Sequence, residues 1–329
     1  MAYHFASIYE VDVPETWRQK GAWVSIGAFD GVHLGHQALV RALVKSAHAA
    51  NCPALLVTFF PHPAVILRGQ SGPYYLTSPE ERSALLDGLG VDRTLTLEFN
   101  RELAALSPYD FMSQLKARMG VSRLVVGYNF ALGRGRTGDL PTLKQIGQQL
   151  DYELEVIQPV ETGGMVVSSS QIRALLSEGE VERVAQALGR WFSVTGRVAH
   201  GDGRGRSIGI ATANLEIWTE HALPSVGVYA CWAWVGSERR EAVVNIGVRP
   251  TFEAQPVIPR VEAHLLDFDQ DLYERDLRLE FVARLRSEQR FASITDLVDQ
   301  IKRDITAARD QLQKPVLQFT PPGAWREVI

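Results

Sequence analysis

Short apolar runs alternate with amphipathic helical stretches through the first half of this chain. The runs predict strands and cover residues 22–26, 54–60, 93–97, 124–127 and 153–157. Between several of them lie stretches with apolar residues three and four positions apart, which predict helices. Strands that alternate with helices pair in parallel, so the pattern predicts a doubly wound α/β sheet. In such a sheet, ligands bind beyond the carboxyl ends of the strands.

A glycine-punctuated turn joins the first predicted strand to a helix. Its sequence, at residues 25–36, is SIGAFDGVHLGH. The unpaired N–H groups at the start of that helix favour an anion. His33 and His36 are three positions apart and therefore fall on one side of the first helical turn. Because no third metal ligand is nearby, the two imidazoles suit a polyphosphate better than a metal. The alternative is a tight turn with two incidental histidines.

Two further polar stretches of the first half could contact phosphates. Residues 127–139 contain four glycines and two arginines after a predicted strand. They indicate a flexible cationic clamp or, alternatively, a solvated loop. Residues 168–170 are serines that open a predicted helix, and Arg173 lies on its first turn. These residues offer hydroxyls, amides and a positive charge to a polyphosphate, although plain helix capping would explain the serines equally well.

The alternating pattern stops near residue 187. We predict a boundary there, between a domain of residues 1–187 and one of residues 188–329. Short β-rich segments separated by turn residues follow, at 192–198, 227–235, 242–246, 261–266 and 277–285. They predict a small antiparallel β-barrel. A capped amphipathic helix closes the chain, and we expect its apolar stripe from Ile294 to Leu312 to pack on the barrel.

The second half contains a loop rich in glycine and arginine, GDGRGRSIGIATANL, at residues 201–215. Its backbone donors and positive charge suit phosphates, and the alternative is an exposed hairpin loop. Thr212 and Asn214 are two positions apart in an extended stretch, so their oxygens share one side and suit Mg²⁺. Further along, Glu262 and His264 alternate with apolar neighbours and share one face of a predicted strand.

The first-half strings resemble those of a known enzyme family. GAFDGVHLGH resembles the HxGH form found in prokaryotic FAD synthetases of the nucleotidylyl transferase superfamily. Residues 126–138, VGYNFALGRGRTG, resemble VGxDFxFGxxRxG, and SSSQIR resembles SSTxIR. The resemblance implies that His33 and His36 are catalytic and hold the triphosphate of ATP. It also implies an ATP and phosphate site of Gly27, Phe29, Asp30, Gly31, Ser169, Ser170 and Arg173, and a flavin side of His62, Asn129 and Arg136.

The second-half strings resemble riboflavin kinase. Residues 200–214, HGDGRGRSIGIATAN, resemble HGDxRGRxxGxPTAN, and VEAHLLD resembles VExHLLD. The resemblance implies that the phosphate site contains Gly201, Arg204 and Arg206. It also implies that Thr212 and Asn214 are magnesium ligands and that Glu262 is the general base. Two positions depart from the family. Ala211 stands where the family has proline, which we expect to make the loop more mobile. Glu274 stands where glycine is usual.

The resemblance spans nearly the whole chain and identifies it as a member of the bifunctional FAD synthetases. Such an enzyme phosphorylates riboflavin to FMN with ATP and Mg²⁺. It then adenylylates FMN to FAD with a second ATP and releases pyrophosphate. Two rivals stay open: an HxGH transferase that acts on another phosphorylated acceptor, and a flavin-binding regulator with inactive sites.

Composition argues against several other classes of protein. The 329 residues carry 34 basic and 38 acidic side chains, and a net charge of −4 does not favour nucleic-acid binding. The N-terminus lacks a secretory signal pattern, and no apolar run reaches the ~20 residues that span a bilayer. Cys52 and Cys231 alone do not predict a disulfide framework. We therefore expect a cytoplasmic protein, monomeric or weakly homo-oligomeric, whose partners are small-molecule substrates.

Overall fold

The computed structural model describes residues 5–200, 210–247 and 259–314. The described residues form two compact units. The first unit comprises residues 5–71 and 77–168. The second unit comprises residues 72–76, 169–200, 210–247 and 259–314.

The first unit alternates strands and helices along the chain. Its strands are β1 (Ala22–Ile26), β2 (Ala54–Phe60), β3 (Arg93–Glu98), β4 (Val121–Gly127), β5 (Glu153–Ile157), β6 (Glu161–Thr162) and β7 (Met165–Val166). Its helices are α1 (Glu15–Lys20), α2 (Leu34–Ala49), α3 (Pro63–Arg68), α4 (Pro79–Asp87), α5 (Arg101–Ala105), α6 (Pro108–Met119) and α7 (Leu140–Leu150), with a 3₁₀ turn at Arg134–Arg136.

Strands β1 to β5 form a parallel sheet within the described residues, in the order β3-β2-β1-β4-β5. The chain winds outward from β1 to β3 and then returns to the other side of β1 for β4 and β5. The strand order therefore reverses between β1 and β4, which is where open α/β sheets bind ligands. The doubly wound sheet predicted from the sequence is confirmed.

Both faces of this sheet are covered by helices. On one face, strand residues such as Val24 and Val57 pack with Phe111 and Leu115 of α6. On the other face, alternate strand residues pack with the buried side of α2 and with α4. Burial on both faces explains why β1 and β2 are continuous apolar runs rather than alternating ones.

The second unit is built around a barrel. Its helices are α8 (Ser169–Glu178), α9 (Val181–Leu188) and α10 (Ile294–Leu312). Its strands are β8 (Phe192–Ala199), β9 (Ala213–Ile217), β10 (Gly227–Val235), β11 (Glu238–Gly247), β12 (Arg260–Leu265) and β13 (Asp276–Arg286). In the described ranges these strands pair antiparallel and close in the order β10-β11-β12-β9-β8-β13. The predicted small antiparallel barrel with a closing helix is confirmed.

Two segments that precede residue 187 belong to the second unit. Helix α9 buries Val181 and Val184 and packs on β13 and β8. Residues 72–76 also join this unit, because the N–H groups of Tyr74 and Tyr75 donate to the carbonyl of Glu220 at 2.7 and 2.9 Å. The functional boundary near residue 187 stays a prediction.

An ion pair between a half-buried arginine and a buried aspartate fixes helix α10 to the barrel. The Arg286 guanidinium donates through Nε and Nη2 to the Asp304 carboxylate at 2.7 to 3.1 Å, and Gln300 donates to the same carboxylate at 2.8 Å. Ala308 and Leu312 are buried against the barrel, as the apolar stripe predicts. The stripe does not pack along its whole length, because Ile294 at the first turn is 68% exposed.

Removal of the Asp304 carboxylate should strongly destabilise the second unit. In Asp304→Ala, Arg286 keeps its charge but loses its anionic partner. Breaking a fully buried pair costs about 3–5 kcal/mol, and we expect the lower end of that range because the Arg286 side chain is 20% exposed. The measurement is urea unfolding followed by tryptophan fluorescence, with Asp299→Ala as the control, since Asp299 lies on the exposed side of α10, 3.8 Å from Lys302. Equal losses of unfolding free energy in the two variants would contradict a stabilising role for the Arg286–Asp304 pair.

No helix in the described part of the chain has the length and apolar character needed to cross a bilayer.

Candidate active sites

The turn between β1 and α2 has an unusual backbone. Phe29 and Val32 adopt positive φ angles of 49° and 37°, beside Gly31 at 79°. A β-branched residue with positive φ is a conformational outlier, and such strain is concentrated at functional sites. Both side chains are buried, so the packing of the first unit holds the strained conformation in place. We call residues 27–36 the phosphate turn, after the ligand that the sequence predicts for them.

His33 and His36 lie together at the start of α2. His33 caps the helix, because its Nδ1 accepts a hydrogen bond from the backbone N–H of His36 at 3.3 Å. The two rings are stacked, with centroids 3.7 Å apart. An accepting Nδ1 carries no hydrogen, so a neutral His33 ring carries its hydrogen on Nε2. The predicted placement of both histidines on one side of the turn is therefore observed.

His36 is held in its neutral form. Burial, the stacked His33 and the guanidinium of Arg82 together keep the pKa of His36 well below its usual value. Its ring also meets the edge of Phe29, with centroids 5.3 Å apart. Within the described residues, the buried Nδ1 of His36 has no hydrogen-bond partner. A neutral imidazole at a helix N-terminus can donate a hydrogen bond to phosphate without carrying a charge.

Asp30 is used inside the turn. Its carboxylate accepts hydrogen bonds from the N–H and the hydroxyl of Thr77 at 3.2 and 3.3 Å. The Thr77 hydroxyl in turn accepts from the N–H of Gly31 at 3.2 Å. Asp30 is only 1% exposed. These contacts indicate that Asp30 shapes the turn itself, together with Thr77, to which sequence reasoning gave no part in the turn.

Two glycines of the turn, Gly27 and Gly35, are closely packed against its own aromatic rings. A Cβ atom on Gly35 would lie 3.1 Å from Cε1 of His33, and one on Gly27 would lie 3.2 Å from the Phe29 ring. Glycine also lets a ligand approach the backbone closely. In the structure, the motif's own aromatic rings already crowd both positions, so a larger residue at either one would require His33 or Phe29 to shift by a few tenths of an ångström.

The loop after β4 lies across the switch point from the phosphate turn. Leu132 and Gly138 form an antiparallel bridge, and side chains on Gly133 or Gly138 would collide with Pro108 at 2.8 Å. The Arg136 guanidinium donates to the carbonyl of Asn129 at 3.2 Å. The two predicted flavin-side residues of this loop therefore contact one another, and the loop is held at Leu132, Gly133 and Gly138.

His62 follows the end of β2 at the same edge of the sheet. It caps α3, because its Nδ1 accepts from the N–H of Ala64 at 3.0 Å. The first unit thus brings the turn after β1, the turn after β2 and the loop after β4 to the carboxyl ends of neighbouring strands.

The predicted serine and arginine grip lies on α8 in the second unit. Ser169 and Ser170 are the first two residues of that helix. Arg173 donates through Nε to the carbonyl of Tyr74 at 2.7 Å, and its guanidinium lies 3.8 Å from the centre of the Tyr74 ring. Stacking on an aromatic ring orients the guanidinium plane.

A row of polar side chains crosses three strands of the barrel. Glu262 on β12 pairs directly with Asn214 on β9 and with Asn245 on β11. Directly paired residues share a face of a sheet, so the carboxylate lies between two amides. Val243, two residues before Asn245, packs against α10 and marks this face as the outside of the barrel. Asn245 is the one polar residue in the run AVVNIG and opens a string that resembles the family's NIGxxPTF, but sequence reasoning gave it no role in the site.

The two departures from the family pattern are accommodated locally. The carbonyl of Ala211 lies 2.7 Å from Nδ1 of His264, which anchors the segment just before Thr212. Glu274 has a φ of 63°, a conformation that glycine adopts most easily, and it pairs with Arg197 at 2.6 Å. The backbone at Glu274 therefore keeps the left-handed conformation in spite of the missing glycine. Gly201, Arg204 and Arg206 lie outside the described residues.

Comparison with known proteins places this geometry in a family. Residues 15–171 match the family model of FAD synthetase, and residues 188–312 match that of riboflavin kinase. The chain belongs to the bifunctional FAD synthetase family. The bifunctional riboflavin kinase/FMN adenylyltransferase of Escherichia coli K12 is 36% identical over 294 residues, which covers 89% of this chain and 93% of that protein. The enzyme of the same description from Pseudomonas fluorescens is 38% identical over 291 residues, with 88% and 93% covered.

A solved structure is similar over nearly the whole chain. It is the crystal structure of a macrolide-efflux protein from Streptococcus pneumoniae, with a TM-score of 0.84 and 29% identity, and the match covers 92% of this chain and 97% of that one. Family membership confirms the predicted activities. This FAD synthetase phosphorylates riboflavin to FMN and adenylylates FMN to FAD, with ATP as the donor in both steps.

Proposed function

We propose that the phosphate turn of the first unit binds the ATP used for FMN adenylylation. His33 and His36 donate hydrogen bonds to the triphosphate, and Ser169, Ser170 and Arg173 supply a second grip. The observation that carries this proposal is the stacked pair of histidines on a strained turn at the switch point of the sheet. Three residues serve the flavin side: His62, which follows β2, and Asn129 and Arg136, which follow β4; β2 and β4 flank β1 on its two sides.

The chemistry at this site needs position and charge rather than a covalent nucleophile. A phosphate oxygen of FMN attacks the α-phosphorus of ATP and forms a new P–O bond. The bond from the α-phosphorus to the bridging oxygen breaks, and pyrophosphate leaves with the bonding electrons. Hydrogen bonds aimed at the phosphates stabilise the charge that develops on them. A neutral His36 can donate without repelling its stacked partner.

We propose that the polar row on the barrel phosphorylates riboflavin. Glu262 accepts the proton of the ribityl hydroxyl of riboflavin. The hydroxyl oxygen attacks the γ-phosphorus of ATP, the bond from that phosphorus to the bridging oxygen breaks, and ADP leaves. A carboxylate between two amides has hydrogen-bond donors that hold it in place while it stays ionised. Gly201, Arg204 and Arg206 complete this proposal as the phosphate-binding residues.

The donor set beside Glu262 fits a hard cation. Asn214 on β9 and Thr212, just before that strand, offer side-chain oxygens on one side of the chain. Asn214 is also the strand partner of Glu262, which adds a carboxylate. Mg²⁺ prefers such oxygen ligands. Bound there, Mg²⁺ would neutralise charge on the phosphate oxygens of ATP. We include Mg²⁺, held by Thr212 and Asn214, in the proposed function.

Asn214→Ala should produce a magnesium-dependent loss of riboflavin phosphorylation. The change removes one proposed oxygen ligand, so the activity should fall at low Mg²⁺ and recover partly as Mg²⁺ is raised. Asn214→Asp keeps an oxygen in the same place and should need less Mg²⁺ than the alanine variant. The measurement is the rate of FMN formation over a Mg²⁺ titration, and FAD formation from supplied FMN is the control. A loss in Asn214→Ala that Mg²⁺ leaves unchanged would remove Asn214 from the ligand set.

The remaining parts of the proposal concern the whole protein. We assign FMN adenylylation to residues 1–187 and riboflavin phosphorylation to residues 188–329. We also propose a cytoplasmic enzyme, monomeric or weakly homo-oligomeric, with no nucleic-acid partner. The two thiols, Cys52 and Cys231, are free, which suits a reducing compartment.

A further inference from the structure

A buried arginine lies beneath the phosphate turn. Arg82 on α4 is 1% exposed and is the largest of the fully buried side chains. Arginine is almost never fully buried unless its donors are used. Sequence reasoning gave it no role, because it lies in the helix PEERSALLD, whose acidic start and mixed charges are typical of a solvated helix.

Arg82 contacts the ends of two neighbouring strands. Its Nη1 donates to the carbonyl of Ala28, inside the phosphate turn, at 3.1 Å. Its Nη2 donates to the carbonyl of Phe59, three residues before His62, at 3.1 Å. The Thr58 hydroxyl also donates to the Ala28 carbonyl at 3.1 Å. One side chain therefore links the turn proposed for ATP to the end of β2, the strand that leads into the His62 turn proposed for the flavin side.

The planar guanidinium makes this link rigid. Its two terminal nitrogens have a fixed separation, so both carbonyls must keep a fixed spacing to accept from them. A lysine ammonium in the same place keeps the charge but presents a single nitrogen on a flexible stem. Transfer between two bound substrates depends on such spacing, since a misplacement of about 1 Å can cost roughly 10²-fold in rate.

We propose that Arg82 is a positioning residue for FMN adenylylation, which holds the phosphate turn and the His62 turn at the separation that the transfer step requires. This inference rests on the proposed function, which assigns His36 to ATP binding and His62 to flavin binding. The charge of Arg82 has a second, separable consequence. In the described residues, the charged or titratable groups that act on His36 are His33 and Arg82, and Arg82 disfavours a second positive charge there.

The test compares two substitutions that separate geometry from charge. Arg82→Lys keeps the charge and loses the two-point link. We expect kcat for FAD formation from FMN to fall about 10- to 10²-fold, while the affinity for ATP changes little. The pH at which FAD formation falls on the acid side should stay the same as in the wild type. Arg82→Gln also removes the charge, so the pKa of His36 should rise. In this variant the fall of FAD formation on the acid side should therefore begin at a higher pH. Riboflavin phosphorylation is the internal control, and Arg41→Lys, on the exposed side of α2, is the matched arginine control.

Each outcome bears on the proposal. Wild-type FAD formation in Arg82→Lys would overturn it. Loss of ATP binding together with activity would also overturn it, because that result marks a residue needed only for folding of the first unit. If His36→Ala has no effect on FAD formation, the proposed site is wrong. If His36→Ala is impaired while Arg82→Lys is not, only the inference about Arg82 fails.

Discussion

His36→Ala should lower FAD formation from FMN by at least about 10²-fold, the usual cost of removing one preorganised donor from a transition state. The alanine variant loses a neutral donor that is held against His33 and Phe29 at the start of α2. Because the pKa of His36 is held well below its usual value, the wild-type rate should not fall as the pH drops through about 6.5. The measurements are FAD formation from supplied FMN over a pH series and FMN formation from riboflavin.

The control for this substitution lies on the same helix. His48 near the end of α2 is exposed and contacts Asp92 at 2.9 Å. His48→Ala should leave both steps unchanged, and His36→Ala should leave riboflavin phosphorylation nearly intact. An equal loss of both steps in His36→Ala would mean that the chain has unfolded or that one site performs both reactions.

The strands of the first unit were predictable because most of them are buried on both faces. The runs at 22–26 and 54–60 coincide with β1 and β2. Strand β4 begins at Val121, three residues before the apolar run, because it includes Ser122 and Arg123. Arg123 is accommodated by its neighbours: its guanidinium lies 3.9 Å from the centre of the Trp23 ring and also pairs with Glu153 and Glu155. Cross-strand partners of this kind cannot be identified from a local sequence window.

Helix α7 was missed although its sequence carries signals. Asp139 caps it by accepting from the N–H of Thr142, and Leu143 and Ile146 form its buried side. The preceding loop is rich in glycine and arginine, and we interpreted it as a flexible segment without predicting the helix that follows it. The parallel pairing of β4 and β5 requires a crossover, which α7 provides.

The residues that support the candidate sites were less predictable than those in the motifs. His33, His36 and Glu262 stand in strings with recognisable spacing. Thr77 and Arg82 act on the phosphate turn only because α4 packs against the same sheet, some 50 residues along the chain. Asn245 reaches Glu262 only through strand register. Their roles depend on tertiary contacts, which local pattern does not record.

Glu262→Gln should lower riboflavin phosphorylation by roughly 10²-fold or more, within the range of general-base catalysis. Glutamine keeps the size and polarity of the side chain between Asn214 and Asn245 but cannot accept the hydroxyl proton. Proton acceptance lowers the energy of the transition state and not that of bound riboflavin. The affinity for riboflavin should therefore change little, and the loss should appear in kcat. The measurements are the rate of FMN formation and riboflavin affinity by fluorescence quenching.

The matched control for Glu262 is a neighbouring carboxylate that faces solvent. Glu216 on β9 is exposed and lies two residues beyond Asn214 on the same side of the strand. Glu216→Gln should leave FMN formation unchanged, and FAD formation from supplied FMN should survive both substitutions. If Glu262→Gln keeps near wild-type kinase activity, Glu262 is not the base. If instead it loses riboflavin binding in proportion to its activity, the carboxylate holds the substrate rather than taking its proton.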